Sequence, residues 1–289
     1  MKNQKTILKV KDLKVDFPVF GGILQKQISS IHAVRGVSFD LFRGETLGVV
    51  GESGSGKSTL GNAILNVLRL TAPDVQITGQ IEIGLDKNYI ELLSLSKNDM
   101  KKYRKHIQMI FQDPYSSLNP RMLVKDIIRE PLNINTNLNA NEKNEKVDWL
   151  LEKVGLSIEQ SNRYPHEFSG GQRQRIGIAR SLATDPDIII ADEPVSALDV
   201  SIQAQIINLM MDLQDEFNLS IIFIAHDLSV VKHISNRVGV MYQGKLVEIN
   251  RTDDIFSKPE NDYTKELLRA IPQPDPRGRK ERKAARLKN

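Results

Sequence analysis

The chain has 289 residues, of which 40% are hydrophobic and 26% charged, as in an ordinary soluble globular protein. Its formal net charge of +4 is concentrated in residues 277–289, which hold seven Lys or Arg and one Glu. The rest of the chain is slightly acidic, so we expect no nucleic-acid partner. The absence of Cys excludes disulfides, thiolate catalysis and Cys-ligated metal centres. Without a signal peptide or a run of roughly 20 apolar residues, the chain is expected to reach a membrane only through partners.

The N-terminal part of the chain carries short patterns in which apolar and polar residues alternate. Residues 7–17 and 33–47 have this pattern, which predicts strands of a small antiparallel sheet. Residues 18–30 lie between them and contain Gly21-Gly22, so we predict a loop there.

Three short apolar runs predict strands that are buried on both faces: Thr46–Val50, Asp187–Ala191 and Ser220–Ala225. Residues 201–217 repeat apolar positions at spacings of three and four, which predicts a helix after the second run. Strands that alternate with helices predict a mostly parallel sheet. Residues 238–249 end this pattern with a hairpin around Gln243-Gly244.

Residues 114–170 interrupt the alternation of strands and helices. They are polar and Asn-rich at 133–144 and amphipathic at 147–154, which predicts an inserted helical subdomain. From Pro272 onward, prolines and the basic run predict a poorly ordered tail. The predicted fold class is therefore α/β, with a mostly parallel core sheet, a small antiparallel β subdomain and the helical insertion.

The segment from Gly51 to Ser58 matches G-x-x-x-x-G-K-[ST] and lies between a strand and a helical pattern. Amide groups of such a glycine turn cradle phosphate oxygens, and the following helix adds its positive dipole end. Lys57 is expected to reach the β- and γ-phosphates of ATP, and the Ser58 hydroxyl to ligate Mg²⁺. A Gly/Ser linker with an incidental Lys is the alternative. The predicted nucleotide-binding residues are Gly51, Glu52, Ser53, Gly54, Ser55, Gly56, Lys57, Ser58 and Thr59.

Two adjacent carboxylates, Asp192 and Glu193, end the apolar strand that starts at Asp187. Phosphoryl transfer needs a carboxylate near the metal and a group that orients the attacking water. We expect Asp192 to face Mg²⁺ and Glu193 to act as general base. An acidic pair at a strand end is often only solvated, but the upstream phosphate loop favours the catalytic interpretation.

Ser169, Gly170, Gly171 and Gln172 precede a helical segment and form a second potential anion-binding helix start. A simple helix cap is the alternative for this segment. One nucleotide needs only one phosphate cradle, so a second cradle requires an explanation.

Together these motifs resemble the ATP-binding subunits of ABC transporters over about residues 7–272. The resemblance implies a P-loop NTPase fold of the ABC type, with an ATPase domain over residues 1–258 and a C-terminal extension over 259–289. It also implies that two such domains bind head to tail, each ATP lying between the loop Gly51–Ser58 of one and Ser169–Gln172 of the other.

The same resemblance assigns roles to further residues. Gln112 matches a glutamine that touches Mg²⁺, and His226 matches a switch histidine near the γ-phosphate. Ser196-Ala-Leu-Asp199 matches a loop that communicates across the dimer. Phe17, rather than Phe20, lies where the family has an aromatic ring that stacks on adenine. The implied catalytic residues are Glu193, His226, Gln112 and Lys57, and the implied metal ligands are Ser58, Gln112 and Asp192.

Narrower features resemble the oligopeptide and dipeptide importers, and in particular the second of their two paired ATPase subunits. The importer features are the segments 114–120, 196–205 and 262–272, and the similarity to the second subunit lies in residues 18–30 and near 262–276. The implied partners are a second ABC ATPase subunit, two membrane permease subunits and, indirectly, an extracytoplasmic solute-binding protein. The implied location is the cytoplasmic face of the cell membrane, as a peripheral protein.

Two alternatives remain open at the level of the sequence. The same subunit could power the import of nickel, glutathione or another small solute, because permeases and binding proteins choose the cargo. A soluble ABC ATPase that acts on ribosomes or DNA is the other alternative. The single copy of the motifs and the lack of sustained heptads between them disfavour it.

Overall fold

The computed structural model describes residues 5–21, 26–85 and 88–270. The sequence predictions for the Pro-rich segment from Pro272 and for the basic tail lie outside these residues.

Within these ranges, ten strands form two sheets. In chain order the strands are β1 (Thr6–Gly21), β2 (Lys26–Phe42), β3 (Thr46–Val50), β4 (Gln76–Leu85), β5 (Asn88–Glu91), β6 (Ile107–Ile110), β7 (Ile188–Asp192), β8 (Ser220–Ala225), β9 (Arg237–Tyr242) and β10 (Lys245–Arg251). The first sheet has the antiparallel order β2-β1-β4-β5, and the second has the order β10-β9-β3-β8-β7-β6. The strands β9, β3, β8, β7 and β6 of the second sheet are parallel, and β10 closes it as an antiparallel edge. The prediction of a parallel core sheet beside a small antiparallel sheet is confirmed.

Ten helices are described, and they connect or cover the strands. They are α1 (Lys57–Ile64), α2 (Leu68–Thr71), α3 (Lys97–Arg104), α4 (Val124–Asn135), α5 (Ala140–Lys153), α6 (Gly170–Leu182), α7 (Val200–Phe217), α8 (Leu228–Ile234), α9 (Thr252–Ser257) and α10 (Asp262–Arg269). No helix among the described residues is both long and apolar enough to cross a bilayer.

The insertion between β6 and β7 contains α4, α5 and two short 3₁₀ turns before α6 begins. Asn139 begins α5 with a capping box. Its side chain accepts from the Glu142 amide, and the Glu142 carboxylate accepts from the Asn139 amide. The Asn-rich stretch in the sequence is therefore the junction between two helices. The prediction of a helical insertion is confirmed.

The core sheet is buried on both faces, since every residue of its central strands β3, β7 and β8 is buried and most of these residues are apolar. In β8, Ile221 and Phe223 join the hydrophobic core that is shared with the helical insertion. Their neighbours Ile222 and Ile224 join the other core, which lies between α1 and the antiparallel sheet. Such strands fix the positions of the loops at their carboxyl ends, because each side chain is held by a packed layer.

The prediction of a loop over residues 18–30 is wrong for the described part of that range. The strand β1 continues to Gly21 and β2 resumes at Lys26, with Pro18 opposite Ser30 and Val19 opposite Ser29. This end of the ribbon is largely exposed, so it lacks the alternation of buried residues that identifies a strand. Backbone pairing extends the strands through this segment.

Candidate functional site

The loop Gly51–Ser58 leaves β3 and enters α1 at Lys57. Two of its glycines are required by close backbone contacts. A Cβ at Gly56, where φ is 100°, would lie 2.2 Å from the Ala33 carbonyl oxygen. A Cβ at Gly51, where φ is 153°, would lie 2.1 Å from the Met241 carbonyl oxygen. The loop is therefore enclosed by β2 on one side and by β9 on the other.

Lys57 is only 4% exposed and points back into the loop. Its ammonium group donates to the carbonyl oxygens of Gly51 and Glu52, both at 2.8 Å. Burial lowers the pKa of Lys57, and the charges of Glu193 and Asp192 act in the opposite direction. The site therefore holds a cation at the centre of a turn of backbone groups.

Asp192 ends β7 beside the start of α1. The Ser58 hydroxyl donates to Asp192 Oδ1 at 2.9 Å, and burial raises the pKa of this carboxyl. Hydroxyl and carboxylate oxygens are the donors that Mg²⁺ prefers, so this pair fits the predicted ion. The described residues contain no group of three or more His, Cys, Asp or Glu that could hold a metal ion.

Glu193 lies at the carboxyl end of the sheet with a left-handed backbone, at φ 45°. Its Oε2 lies 3.1 Å from Gln112 Nε2 and 3.1 Å from His226 Nδ1. The three residues follow β6, β7 and β8, which are neighbouring parallel strands. Three sequence-predicted residues that lie far apart in the chain are thus brought together.

A cavity of about 470 Å³ lies over the loop. Its lining includes eight predicted residues: Ser53, Gly54, Gly56, Lys57, Ser58, Thr59, Gln112 and Glu193. The other lining residues were not predicted: Ile31, His32, Ala33, Arg35, Gln243 and Gly244. They come from β2 and the β9–β10 turn, and no motif marks them in the sequence.

Phe17 is not among the described residues that line this cavity. It lies on β1 opposite Ile31, and it packs partly against the core beneath the antiparallel sheet. Ile31, which is 61% exposed, lines the cavity instead. The predicted aromatic contact with a base therefore stays a prediction.

The residues Ser169–Gln172 form the start of α6 and are likewise absent from the described lining of the cavity. Ser169 Oγ accepts from the Gln172 amide, and Gln172 Oε1 accepts from the Ser169 amide, which completes a capping box. The side chains of Ser169 and Gln172 therefore cap their own helix, and their predicted contact with nucleotide stays a prediction.

Family models match two parts of the chain. A model described as ABC transporter matches residues 34–196, and one described as oligopeptide/dipeptide transporter, C-terminal region, matches residues 247–288.

The curated relatives include oligopeptide and dipeptide transport proteins. The chain is 51% identical to the oligopeptide transport ATP-binding protein AppF of Bacillus subtilis, over 99% of this chain and 84% of that protein. It is 51% identical to the dipeptide transport ATP-binding protein DppF of Haemophilus influenzae, over 98% of this chain and 83% of that protein. It is also 49% identical to the glutathione import ATP-binding protein GsiA of Pectobacterium atrosepticum, over 93% of this chain and 42% of that protein.

Solved structures agree with these relatives. A dimeric ATP-binding cassette in a post-hydrolysis state with ADP and Pi superposes with a TM-score of 0.69 and 26% identity, over 85% of this chain and 99% of that one. The cbiO1 protein of Clostridium perfringens, part of an ABC transporter complex, superposes with a TM-score of 0.71 and 27% identity, over 88% of this chain and 92% of that one. The chain belongs to the family of ABC transporter ATP-binding proteins.

Proposed function

We propose that this chain is the ATP-hydrolysing subunit of an ABC importer for oligopeptides or dipeptides. The observation that supports this most directly is the carboxylate of Glu193, held 3.1 Å from both Gln112 and His226 beside the loop that carries Lys57. The 51% identity of the chain to oligopeptide and dipeptide transport ATP-binding proteins supports the proposal that the cargo is a peptide.

Binding of ATP places the triphosphate in the loop Gly51–Ser58. Lys57 exchanges the carbonyl oxygens of Gly51 and Glu52 for phosphate oxygens, which carry negative charge and so bind the buried ammonium group more strongly. The loop amides and the start of α1 add further donors to the same oxygens.

The residues proposed to hold Mg²⁺ are Ser58, Asp192 and Gln112. An ion held there would supply positive charge that offsets the negative charge of the phosphates. Ser58 and Asp192 are already within hydrogen-bond distance of each other, so both oxygens face the same point at the edge of the loop.

Glu193 acts as the general base toward the attacking water. Gln112 and His226 fix its carboxylate, so the base is oriented before the water arrives. The buried strand β7 fixes the backbone from which Glu193 projects.

A second ATPase subunit would complete the site with its own residues equivalent to Ser169–Gln172. We propose that the ATPase domain spans residues 1–258 and that residues 259–289 form an extension. The assembly would include two membrane permeases, receive cargo from an extracytoplasmic solute-binding protein and place this chain at the cytoplasmic face of the membrane as a peripheral subunit.

Glutathione import is the second candidate for cargo, because GsiA is 49% identical to this chain. An uptake experiment distinguishes the two candidate cargoes. The chain is purified with its native membrane partners, the complex is reconstituted in vesicles, and its solute-binding protein is supplied. We expect ATP-dependent uptake of a labelled oligopeptide or dipeptide that exceeds uptake of glutathione or nickel. Uptake of glutathione alone would favour the second candidate. If the chain co-purifies with no permease, the proposal that it is an importer subunit is contradicted.

A further inference from the structure

One side chain from the segment after β10 contacts the nucleotide loop. The hydroxyl oxygen of Tyr263, in the first turn of α10, accepts a hydrogen bond of 3.2 Å from the Glu52 amide. Glu52 is the second residue of the loop and precedes Tyr263 by 211 positions. No sequence motif of the loop predicts this contact.

Tyr263 is held in place from several directions. The Asn261 side chain accepts from the Tyr263 amide at 3.0 Å and so begins α10. The Glu248 carboxylate on β10 accepts from the amides of Glu260 and Asn261, at 2.9 and 3.0 Å. The start of α10 is thereby tied to the β9–β10 hairpin.

The Tyr263 ring also rests on the last residue of β9. Its centroid lies 4.1 Å from that of Tyr242, with the two planes tilted by 31°. Burial raises the pKa of Tyr263, so its hydroxyl is neutral at physiological pH and can accept from an amide. The ring contact and the helix start together fix where this acceptor lies.

The hydrogen bond between the Glu52 amide and Tyr263 lies in the half of the loop that contacts Lys57. The carbonyl oxygens of Gly51 and Glu52 accept from the Lys57 ammonium group, and the Glu52 amide donates to the Tyr263 hydroxyl oxygen. Further along, the Gly244 amide donates to the Ser55 carbonyl oxygen at 3.0 Å. The C-terminal elements therefore hold the loop at two points.

We propose that Tyr263 is a positioning residue for nucleotide binding, because it fixes the Glu52 peptide and with it the part of the loop from which Lys57 reaches the phosphates. The proposal rests on the proposed binding of ATP in this loop. It gives the segment matched by the oligopeptide/dipeptide C-terminal model a direct role in the affinity for nucleotide. Chemistry at Glu193 should be unaffected, since Tyr263 does not contact Glu193, Gln112 or His226 in the described hydrogen bonds.

The test compares the full-length chain with Tyr263→Phe, which keeps the ring and removes only the acceptor oxygen. We expect Tyr263→Phe to weaken ATP binding in calorimetric titrations by about 3-fold to 10-fold, the range that one net hydrogen bond supplies. In the complex with its membrane partners, KM for ATP should rise by a similar factor while kcat changes less than about 2-fold.

The matched control is Tyr89→Phe, which removes a hydroxyl that donates to the Thr6 carbonyl oxygen in the antiparallel sheet, at a residue outside the described lining of the cavity. We expect its ATP affinity to equal that of the parent. Equal affinities for Tyr263→Phe and the parent would overturn the proposal, as would a fall in kcat with KM unchanged. A parent chain that binds no ATP would instead refute the proposed function, so the two failures are distinguishable.

Discussion

Lys57 illustrates how a single residue is prepared for an anionic ligand. Its ammonium group is buried and shares two backbone carbonyl oxygens, which are weaker partners than phosphate oxygens. When the ligand enters, Lys57 has only a few contacts to exchange, chiefly these two carbonyl contacts, because its side chain already points along the loop. The affinity for nucleotide should therefore depend strongly on this one charge.

We predict that Lys57→Ala lowers the affinity for ATP by about 10-fold to 100-fold, since a hydrogen bond to a charged group contributes roughly 1.5–3 kcal/mol. Calorimetric titration of the full-length chain measures the change. Lys125→Ala is the control, because Lys125 is a Lys of the helical insertion that contacts Asn162. Parent-like binding by Lys57→Ala would remove Lys57 from the site.

The predictability of the site also differs from residue to residue. Lys57, Ser58 and Glu193 were predicted because each belongs to a motif or a strand end with a known physical role. His32 and Arg35 line the same cavity, but they come from a neighbouring sheet, and only the tertiary packing brings them there. A single sequence carries no signal of that approach.

At the scale of elements, β3 and β8 were predicted to the residue. Both are short apolar runs with every position buried, so composition alone marks their ends. The outer part of the β1–β2 ribbon was missed because its side chains are largely exposed and its pairing depends on backbone hydrogen bonds. Strand prediction from the sequence therefore works where burial is uniform and fails where burial is absent.

Asp187 joins three elements at the amino end of the core sheet. It precedes β7, and its two carboxylate oxygens lie 3.0 Å from Arg43 Nη1, at the β2–β3 turn, and 2.8 Å from His106 Nδ1, before β6. The hydrogen bond with His106 is the largest cause that lowers the pKa of Asp187, and Arg43 acts in the same direction. Because the folded-state pKa is lowered, this stabilisation is present above the unfolded pKa near 3.8 and is lost as the pH falls below it.

We predict that Asp187→Asn lowers the free energy of unfolding by about 1–3 kcal/mol at pH 7. The difference from the parent should shrink as the pH falls below about 4, where the parent carboxylate takes up a proton. Urea unfolding at several pH values measures both effects. Asp185→Asn, which affects an exposed ion pair with Lys146, should change stability by less than about 1 kcal/mol. A pH-independent difference for Asp187→Asn would contradict this account.

At the scale of the whole molecule, the two candidate phosphate cradles belong to different parts of the chain. The loop Gly51–Ser58 lies on the core sheet, whereas the start of α6 follows the helical insertion. We propose that the second cradle, Ser169–Gln172, which lies outside the described lining of the cavity, serves the nucleotide of a second subunit. The solved dimer with ADP and Pi has the same fold.

We predict that Gly170→Asp abolishes ATP-dependent dimer formation while the isolated chain keeps its affinity for ATP. An acidic residue in the first turn favours the helix, and a Cβ there would make an ordinary 3.4 Å contact with Leu198. Its charge would, however, repel the phosphates of a partner's nucleotide. Sedimentation of the full-length chain with ATP, in a Glu193→Gln background, measures the dimer.

Ser157→Asp is the control for added charge, because Ser157 is an exposed helix-capping residue elsewhere in the helical insertion. It should leave the dimer intact. Dimers of Gly170→Asp as abundant as those of the control would contradict a shared nucleotide site.

The most direct test of the central claim is the comparison of ATP binding and ATP turnover in Glu193→Gln. The amide keeps the shape of the side chain but cannot accept a proton from water, while the loop Gly51–Ser58 is unchanged. We predict that Glu193→Gln binds Mg·ATP as tightly as the parent and hydrolyses it at least about 100-fold more slowly. Hydrolysis at the parent rate would contradict the assignment of Glu193 as the general base.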